Sequence, residues 1–279
     1  MSDIFTKANV AVITGAARGI GRAVALKCAA RGMKLVLADV IADELATVAA
    51  AAKAMGAPEA LAVLTDVSDM KAVSQLAEVA YQQFGAVHFL MNNAAIGDGG
   101  GTFENYENWQ RLMGVNMWGV INGVQAFVPR MIAGGEAGLV VNTGSKQGIT
   151  CPPGNAAYNA SKAAVKVVTE QLAHELRAAA PGRIAAHLLI PGWTFTGING
   201  SRLDAEKPAG AWSAAQVADF MFEGIARGDF YILCPDNETP RELDEKRMAW
   251  AIGDIIENRP ALSRWHPDHK DAFATFLKG

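Results

Sequence analysis

The chain has 279 residues, of which 51% are hydrophobic and 19% are charged, and its formal net charge is −3. A charge so close to neutrality provides no extended basic surface, so we expect neither a nucleic acid nor an anionic membrane as a partner. No window of 18 residues is both uncharged and consistently apolar, so we expect no segment that spans a membrane.

The cysteines and the first residues bear on the compartment. Cys28, Cys151 and Cys234 are widely spaced and form no CxxC motif, which favours reduced thiols over a disulfide framework. Residues 1–9 contain no basic stretch followed by an apolar one, so we expect no signal peptide. Together these features predict a cytoplasmic protein.

Short apolar runs alternate with longer, Ala-rich stretches along the chain. The runs lack the alternation of apolar and polar residues that a half-exposed strand would have, which indicates strands buried on both faces. The predicted strands cover residues 10–14, 34–39, 60–64, 87–91, 139–142, 183–190 and 230–233, and the predicted helices cover residues 19–31, 42–55, 69–84, 105–133, 155–179, 213–227 and 240–257. This order predicts an α/β fold of the Rossmann-like type, with one doubly wound parallel sheet and right-handed crossovers.

Two segments depart from this alternation, although we expect residues 1–279 to form a single domain. Residues 193–212 are rich in Gly, Pro and polar residues but also contain Trp193, Phe195, Ile198 and Trp212. They predict a long loop over a bulky apolar or aromatic ligand, while anchoring of the loop on the core would explain the same side chains. Arg202 in this segment could instead meet an anionic group. Residues 234–279 form an extension after the last predicted strand.

Three glycines mark the predicted turn between the first strand and the first helix. Gly15, Gly19 and Gly21 follow the pattern GxxxGxG, which differs from the GxGxxG of the common dinucleotide-binding fingerprint. Glycine at such a turn lets the backbone approach a pyrophosphate closely, and the following helix presents free amides and the positive end of its dipole. The turn therefore predicts a dinucleotide cofactor.

Asp39 and Arg18 point to different forms of that cofactor. Asp39 ends the second predicted strand, where a carboxylate accepts hydrogen bonds from the adenosine ribose and repels a 2′-phosphate. Residues 40–43 include no basic side chain. Arg18 is the opposite signal, because a guanidinium could hold a 2′-phosphate, although it could equally be a solvated turn residue. We predict NAD as the cofactor in preference to NADP.

Tyr158 and Lys162 lie four residues apart in a predicted helix, and Ser145 lies thirteen residues before the tyrosine. The i, i+4 spacing places the phenol and the ammonium on one face of the helix. A neighbouring ammonium favours the phenolate, so we predict that Lys162 lowers the pKa of Tyr158 from its reference value of about 10. Such a phenol would act as a general acid and base near neutral pH.

These elements resemble the short-chain dehydrogenase/reductase family over nearly the whole chain. The matching positions are residues 14–21 (TGxxxGxG), residues 92–94 (the family's NNAG, with Ala95 in place of its glycine), Asn116, Ser145, Tyr158 with Lys162 (YxxxK), and Pro191, Gly192 and Thr196 (PGxxxT). The resemblance implies an oxidoreductase that transfers a hydride between NAD(H) and a secondary alcohol or its ketone. A cofactor-binding regulatory protein on the same fold, or an NADP-dependent ketoreductase, is the alternative.

The family's catalytic roles carry over to the matching positions. The resemblance makes Tyr158 the acid/base on the substrate oxygen and Ser145 the residue that orients this oxygen. It makes Lys162 the residue that lowers the tyrosine pKa and holds the nicotinamide ribose. Asn116 would fix a water in a proton relay, although it could simply mark a helix kink between two glycines.

The resemblance also implies cofactor contacts at the carboxyl ends of the strands. The predicted contacts are Gly15, Arg18, Gly19, Ile20, Gly21, Asp39, Asp66, Val67, Asn93, Ala94, Tyr158, Lys162, Pro191, Gly192, Thr194 and Thr196. Asp66 could reach the adenine or belong to the N-terminal cap of the next helix. Thr196 could instead only cap its loop.

The resemblance also bears on assembly and on substrate. It implies a homodimer or homotetramer with the helices at 105–133 and 155–179 between subunits. Residues 114–134 and the tail from Phe230 onward look similar to dehydrogenases that oxidise the benzylic alcohol of lignin-type aryl ethers.

Two polar groups remain outside these motifs. Lys146 and Gln147 follow Ser145 and could face the substrate, but we expect a solvated loop there. Two histidines and a carboxylate at 266–269 have no further ligands close in sequence, so we predict no metal site.

Overall fold

A parallel sheet of seven strands forms the centre of the computed structural model, which describes residues 4–97, 99–198 and 206–279. The strands of these residues are β1 (Val10–Thr14), β2 (Lys34–Asp39), β3 (Ala60–Leu64), β4 (Phe89–Asn92), β5 (Gly138–Thr143), β6 (Ile184–Ile190), β7 (Thr194–Phe195), β8 (Trp212–Ser213) and β9 (Tyr231–Leu233). The order in the sheet is β3-β2-β1-β4-β5-β6-β9, with every neighbouring pair parallel. β7 and β8 form a separate parallel pair.

Helices cover both faces of this sheet. The α-helices of the described residues are α1 (Gly19–Ala30), α2 (Ala42–Ala54), α3 (Met70–Phe84), α4 (Tyr106–Met113), α5 (Gly119–Gly134), α6 (Gln147–Thr150), α7 (Ala156–Ala179), α8 (Ala214–Arg227), α9 (Arg241–Ile256) and α10 (Lys270–Lys278). The predicted Rossmann-like, doubly wound α/β fold is confirmed. In the part of the chain that the structure describes, no helix has the length and apolarity that a bilayer crossing requires.

Each face of the sheet carries its own apolar core. On one face Ile13 of β1 shares a cluster with Val24 of α1 and Leu45 of α2. On the other face Val12 of β1 shares a cluster with Phe127 of α5. Ile13 and Val12 are both fully buried, because successive side chains of a strand point to opposite faces. Burial of such a side chain stabilises the fold by about 1.5–3 kcal/mol, which explains why the strands read as continuous apolar runs.

The strand order reverses at β1, which pairs with β2 on one side and with β4 on the other. In open α/β sheets a ligand-binding crevice forms at the carboxyl ends of the strands where the order reverses. Thr14 at the end of β1 ties this crevice together. Its hydroxyl oxygen accepts hydrogen bonds from the backbone amides of Asn93 (2.9 Å) and Ala94 (3.1 Å), which follow β4.

The single helix predicted over residues 105–133 is interrupted. A π-helical turn, Gly114–Trp118, separates α4 from α5. Asn116 in this turn is fully buried, and its side chain accepts from the amide of Ile96 (2.8 Å) and donates to the carbonyl of Ile96 (2.9 Å). The wider π turn changes the direction of the side chain locally. Helical periodicity does not reveal it, because the helices on either side keep their own patterns.

The predicted long loop at 193–212 is partly structured. β7 and β8 pair within it, and the amide of Trp212 donates to the carbonyl of Trp193 over 2.9 Å. The Trp212 ring packs edge-on against Phe220 of α8, with centroids 5.7 Å apart, so it anchors this end of the loop on the core. Trp193 and Ile198 remain exposed. Arg202 lies outside the described residues.

The C-terminal extension folds into α9, two short 3-10 turns and α10, and α9 contacts α6 beside Ser145. Trp250 of α9 is buried, and its Nε1 donates to Ser263 Oγ over 2.7 Å. Its ring contacts Phe273 and Phe276 edge-on and lies under the guanidinium of Arg259. The extension therefore has a small apolar cluster of its own, which holds α9 and α10 together.

Candidate active site

The glycine turn lies at the carboxyl end of β1, against the chain that follows β4. Gly15 and Gly19 have φ angles of +64° and +52°, a left-handed conformation that favours glycine. A Cβ atom on Gly15 would lie 2.8 Å from Ala94 Cα, and one on Gly21 would collide with the Gly15 carbonyl. The first amides of α1, including that of Ile20, have no partner within the helix. This cradle of free amides fits the pyrophosphate of a dinucleotide.

The Asp39 carboxylate is held beside the glycine turn. Oδ2 accepts a hydrogen bond from the amide of Ala17 (3.0 Å), and Oδ1 accepts from the amides of Val40 (2.8 Å) and Ile41 (3.2 Å). These bonds orient the carboxylate at the end of β2, while the side chain stays partly exposed. Asp39 therefore lies at the position expected from the sequence, next to the glycine turn and accessible to a ligand.

Arg18 of the glycine turn forms a bidentate ion pair with Glu44 of α2, in which two guanidinium nitrogens donate to the two carboxylate oxygens. The hydrogen bond with Glu44 raises the pKa of Arg18, and the same bond lowers the pKa of Glu44. The guanidinium already has a carboxylate partner, so a 2′-phosphate would have to compete for it. Sequence reasoning missed Glu44, because no motif marks it.

Asp66 and Val67 follow β3, but they do not cap the next helix. Asp69 caps α3 by accepting a backbone amide of its first turn. Asp66 is exposed, and its Oδ1 accepts from the amide (2.9 Å) and the hydroxyl (2.7 Å) of Ser68. Val67 is buried and packs closely against Gly119. A Cβ atom on Gly119 would lie only 2.6 Å from Val67 Cγ2. These contacts order the chain at the edge of the crevice.

Asn93 ties together the ends of three neighbouring strands. Its Nδ2 donates to the carbonyls of Thr14 (3.1 Å) and Gly15 (3.3 Å), and its Oδ1 accepts from the hydroxyl of Thr143 (3.3 Å). The ends of β1, β4 and β5 are therefore held in one frame. The glycine turn and the residues after β5 share this frame.

Ser145, Tyr158 and Lys162 meet beyond the carboxyl end of β5. α7 begins at Ala156, so the phenol and the ammonium share one helix face, with Lys162 Nζ 5.8 Å from the Tyr158 ring centroid. The phenol of Tyr158 is hydrogen-bonded with the side chain of Ser145. The amide of Gln147 donates to Ser145 Oγ over 3.2 Å, which leaves the hydroxyl proton of Ser145 available for donation.

The predicted net lowering of the Tyr158 pKa is wrong for this arrangement. Burial raises the pKa of Tyr158 above its usual value, and the hydrogen bond with Ser145 offsets only part of the rise. Burial also lowers the pKa of Lys162 to about 8. The ammonium donates to the carbonyl of Thr143 over 2.8 Å, and desolvation disfavours the charged form of both groups. Helical spacing predicted the neighbours, but not the depth of burial that sets the direction of the shift.

Asn116 lies behind this group and connects it to the π turn. Besides its bonds with Ile96, its Nδ2 donates to Ser161 Oγ over 3.2 Å, and Ser161 Oγ donates to the carbonyl of Tyr158 over 2.8 Å. The side chain of Asn116 thus holds the chain after β4 against α7. The helix irregularity considered from the sequence is present, and Asn116 in it contacts the helix that carries Tyr158.

The loop after β6 meets the glycine turn. A Cβ atom on Gly19 would lie 2.8 Å from Thr196 Cβ, so Thr196 packs directly over this turn. Thr196 Oγ1 also accepts from the amide of Ile198 over 3.4 Å, which is the local cap considered as its alternative. Thr194 Oγ1 donates to the carbonyl of Gly192 over 3.1 Å. Of the predicted contacts in this loop, Thr196 therefore lies beside the cradle.

Lys146 does not lie in a solvated loop, contrary to the prediction. Its side chain is 13% exposed, and its Nζ forms ion pairs with Asp236 Oδ2 (3.1 Å) and Asp244 Oδ2 (2.6 Å) of the C-terminal extension. Its amide donates to the carbonyl of Pro191 over 3.2 Å. Lys146 and Asp236 are 90 residues apart, so no local motif could indicate this cluster.

The polar group at 266–269 has a local structural role. His266 Nδ1 accepts the amide of Asp268 over 3.2 Å and so caps the 3-10 turn Pro267–His269. Across residues 4–97, 99–198 and 206–279, no three His, Cys, Asp or Glu side chains are grouped so as to hold a metal ion.

The fold and this arrangement agree with a known family. The chain belongs to the short-chain dehydrogenase family, whose sequence model matches residues 9–207. It is therefore an oxidoreductase of a family that uses NAD or NADP.

Individual relatives extend over much of the chain. A short-chain dehydrogenase/reductase from Burkholderia phymatum, solved in complex with NAD, superposes with a TM-score of 0.83 at 38% identity, over 92% of this chain and 97% of that one. The 1-deoxy-11-beta-hydroxypentalenate dehydrogenase of Streptomyces exfoliatus is 32% identical over 92% of this chain and 94% of its own length. The protein SadH of Mycobacterium tuberculosis is 42% identical over 169 residues, so the match spans only 60% of each protein.

The lowered pKa of Lys162 predicts a stability that rises with pH. The folded protein releases this proton near pH 8, whereas the unfolded chain keeps it up to about 10.5. Between these values the unfolded state binds more protons, so the free energy of unfolding should rise by up to about 1.4 kcal/mol per pH unit. In the absence of cofactor, the unmodified protein should therefore become more stable relative to Lys162→Met as the pH rises. The difference between their free energies of unfolding should grow by about 1–2 kcal/mol between roughly pH 7.5 and pH 9.5.

Chemical denaturation of both proteins across this range measures the effect. Cys28 and Cys234, whose pKa values burial raises to about 12, are present in both proteins and cancel in the difference. Parallel stability curves would show that Lys162 is not held in a desolvated environment.

Proposed function

We propose that the chain is an NAD-dependent dehydrogenase or carbonyl reductase that acts on a secondary alcohol or its ketone. The observation that carries the proposal is the meeting of Ser145, Tyr158 and Lys162 beyond β5, beside the crevice at the ends of β1 and β4. A protein that only senses a cofactor has no need of the buried phenol of Tyr158, with the Ser145 hydroxyl as its partner and the Lys162 ammonium on the same helix face.

The cofactor site in this proposal is built around the glycine turn. The free amides of α1 would hold the pyrophosphate, and Asp39 would accept hydrogen bonds from the adenosine ribose. Asn93 and Thr196 would flank the cofactor, because both pack against the turn. When bound, NAD supplies the acceptor of the hydride in oxidation, and NADH supplies its donor in reduction.

In the proposed reaction Tyr158 Oη exchanges the proton of the substrate oxygen. It would accept the hydroxyl proton when an alcohol is oxidised and return it when a ketone is reduced. Ser145, whose oxygen already accepts a hydrogen bond from the amide of Gln147, would donate a hydrogen bond to the substrate oxygen and so orient it, while keeping its own proton. Lys162 in its ammonium form would favour the phenolate and so oppose the effect of burial.

The side chain of Asn116 supports a positioning role in this reaction. Its bonds to Ile96 and Ser161 hold the chain after β4 beside Tyr158. The water relay that the family resemblance assigns to Asn116 is part of the proposal.

Asp39 supports NAD rather than NADP. A 2′-phosphate about 4 Å from the carboxylate would cost up to about 4 kcal/mol per unit of charge at an effective dielectric constant of 20, before screening by salt. Arg18 could offset this cost, but it is already paired with Glu44. The preference for NAD thus rests on a carboxylate that three backbone amides keep in place.

The substrate in this proposal carries a bulky apolar or aromatic group next to its carbinol carbon. Trp193 and Ile198 are exposed in the loop after β6, which supports an apolar ligand contact, whereas Trp212 serves to anchor the loop. The named substrate of the Streptomyces exfoliatus relative is a hydroxylated compound, which supports an alcohol. Benzylic alcohols of aryl ethers are one candidate class.

We also propose that the chain acts as one catalytic unit in a cytoplasmic homodimer or homotetramer. Trp118 at the end of the π turn before α5 and Val167 on α7 are large apolar side chains with about half of their surface exposed. They lie on the helices predicted to meet between subunits. All three cysteines are free, which agrees with a reducing compartment.

A panel of alcohols with NAD, followed at the nicotinamide absorbance, tests the reaction. The unmodified protein should oxidise an aryl-alkyl carbinol with a kcat/KM about 10- to 200-fold above that for 2-propanol, because an extra apolar contact is worth about 1–3 kcal/mol. Tyr158→Phe should lower kcat for the carbinol by about 100-fold or more, because it removes only the proton-exchanging oxygen.

Tyr106→Phe is the matched control, since Tyr106 is exposed on α4, and it should leave kcat unchanged. Equal kcat/KM values for the two alcohols would contradict the substrate class. A panel in which every alcohol is inert, or full activity of Tyr158→Phe, would contradict the reaction.

Replacement of Asp39 tests the choice of cofactor. Asp39→Ala should raise the ratio of kcat/KM for NADP to that for NAD by about 10-fold or more, because it removes the repulsion of the 2′-phosphate. Asp43→Ala removes an exposed carboxylate of the first turn of α2 and should leave the ratio unchanged. The interpretation of Asp39 is wrong if the unmodified protein already prefers NADP.

A further inference from the structure

A buried cluster of charges joins three parts of the chain next to Ser145. Lys146 follows the catalytic serine, Asp236 follows β9, and Asp244 lies in the first turn of α9. The two carboxylate side chains are only 6% and 4% exposed, and both pair with the Lys146 ammonium. The ammonium of Lys146 therefore holds two carboxylates of the C-terminal extension next to Ser145.

Asp236 extends this cluster to the loop after β6. Its Oδ2 accepts from the amide of Trp193 over 3.2 Å, and its Oδ1 accepts from the amide of Thr239 over 2.8 Å. A Cβ atom on Gly192 would lie 2.8 Å from Lys146 Nζ. The start of the loop therefore packs directly on the ion pair, with no room for a larger residue.

The charges of the cluster depend on Lys146. Burial by itself would raise the pKa of Asp236, but the amide of Trp193 and the Lys146 ammonium together hold it below its usual value. Burial raises the pKa of Asp244 even though Lys146 and Arg247 oppose the rise. Without Lys146, two carboxylates would remain buried near each other, which is costly unless the segments that carry them move apart.

We propose that Lys146 is a positioning residue for the substrate pocket. Through Asp236 and Asp244, the Lys146 side chain holds the C-terminal extension and the start of the 193–212 loop against Ser145. The inference rests on the proposed alcohol dehydrogenase function. Trp193, the exposed aromatic residue of this loop, is bonded directly to the cluster through its amide. Lys146 thereby sets how well the enzyme accepts the bulky part of its substrate.

Lys146→Met tests this role by two independent measurements. With saturating NAD, kcat/KM for an aryl-alkyl carbinol should fall by about 10- to 100-fold through a higher KM. The kcat/KM for 2-propanol at saturating NAD should change by less than about threefold, since this small alcohol has no bulky group for the loop to contact. Hydrogen–deuterium exchange of the cofactor-free protein should become faster at residues 192–198 and 234–256.

The matched control is Arg241→Met, which breaks an exposed ion pair with Glu245 on the same helix α9 and should change neither measurement. An equal loss of kcat/KM for both alcohols would show that Lys146 only stabilises the fold and would overturn the proposal. Unchanged exchange at both segments would also overturn it.

Two further outcomes have defined meanings. If the unmodified protein oxidises no alcohol, the proposed function itself fails, and the role in substrate selection fails with it. If Lys146→Met does not fold, Asp244→Asn replaces it, since this variant keeps the pair between Lys146 and Asp236. It should increase exchange in α9 and reduce activity on the carbinol more than on 2-propanol, and a variant with parent-like values would overturn the proposal.

Discussion

The burial of Lys162 beside Tyr158 is the constraint on which the candidate site depends. An ammonium taken out of water is costly unless it is hydrogen-bonded, and the carbonyl of Thr143 provides that bond at the end of β5. The arrangement requires β5 to end at Thr143 and α7 to begin just before Tyr158. Asn93 then ties Thr143 to the ends of β1 and β4. Tyr158, Lys162 and the glycine turn are therefore held at the carboxyl ends of neighbouring strands.

Two opposing effects act on this pair of side chains. Burial favours the neutral phenol and the neutral amine, which explains the raised pKa of Tyr158 and the lowered pKa of Lys162. Their mutual attraction favours phenolate beside ammonium. In the proposed reaction Tyr158 must both accept and release a proton, and the ammonium would reduce the cost of forming the phenolate that burial opposes.

The sheet and most of its helices could be predicted from the sequence, because strands buried on both faces leave continuous apolar runs. Ile13 and Val12 illustrate this, as each enters a different core. The glycine turn was equally predictable, because its backbone conformation and close packing exclude side chains. The π turn at Asn116 was not, because one extra residue per turn does not disturb the pattern of the flanking helices.

The parts of the site that sequence reasoning missed depend on contacts between distant segments. Lys146 and Asp236 meet only because the C-terminal extension folds back onto the end of β5. Glu44 of α2 likewise pairs with Arg18 in the turn between β1 and α1, although the two residues are 26 positions apart in the sequence. The direction of the pKa shift of Tyr158 also depends on the whole fold, because burial is set by every element packed around the ring. Spacing along one helix does not reveal any of these effects.

The pH dependence of kcat/KM for carbinol oxidation at saturating NAD, compared between the unmodified protein and Lys162→Met, tests most directly whether Tyr158 and Lys162 form one acid–base pair. We predict that kcat/KM rises with pH as the buried pair of Tyr158 and Lys162 loses its first proton. In Lys162→Met the rise should move upward by about one pH unit or more, because Tyr158, whose pKa burial raises, must then lose the proton without an ammonium beside it. Coincident pH profiles of the two proteins would contradict the pairing of these residues.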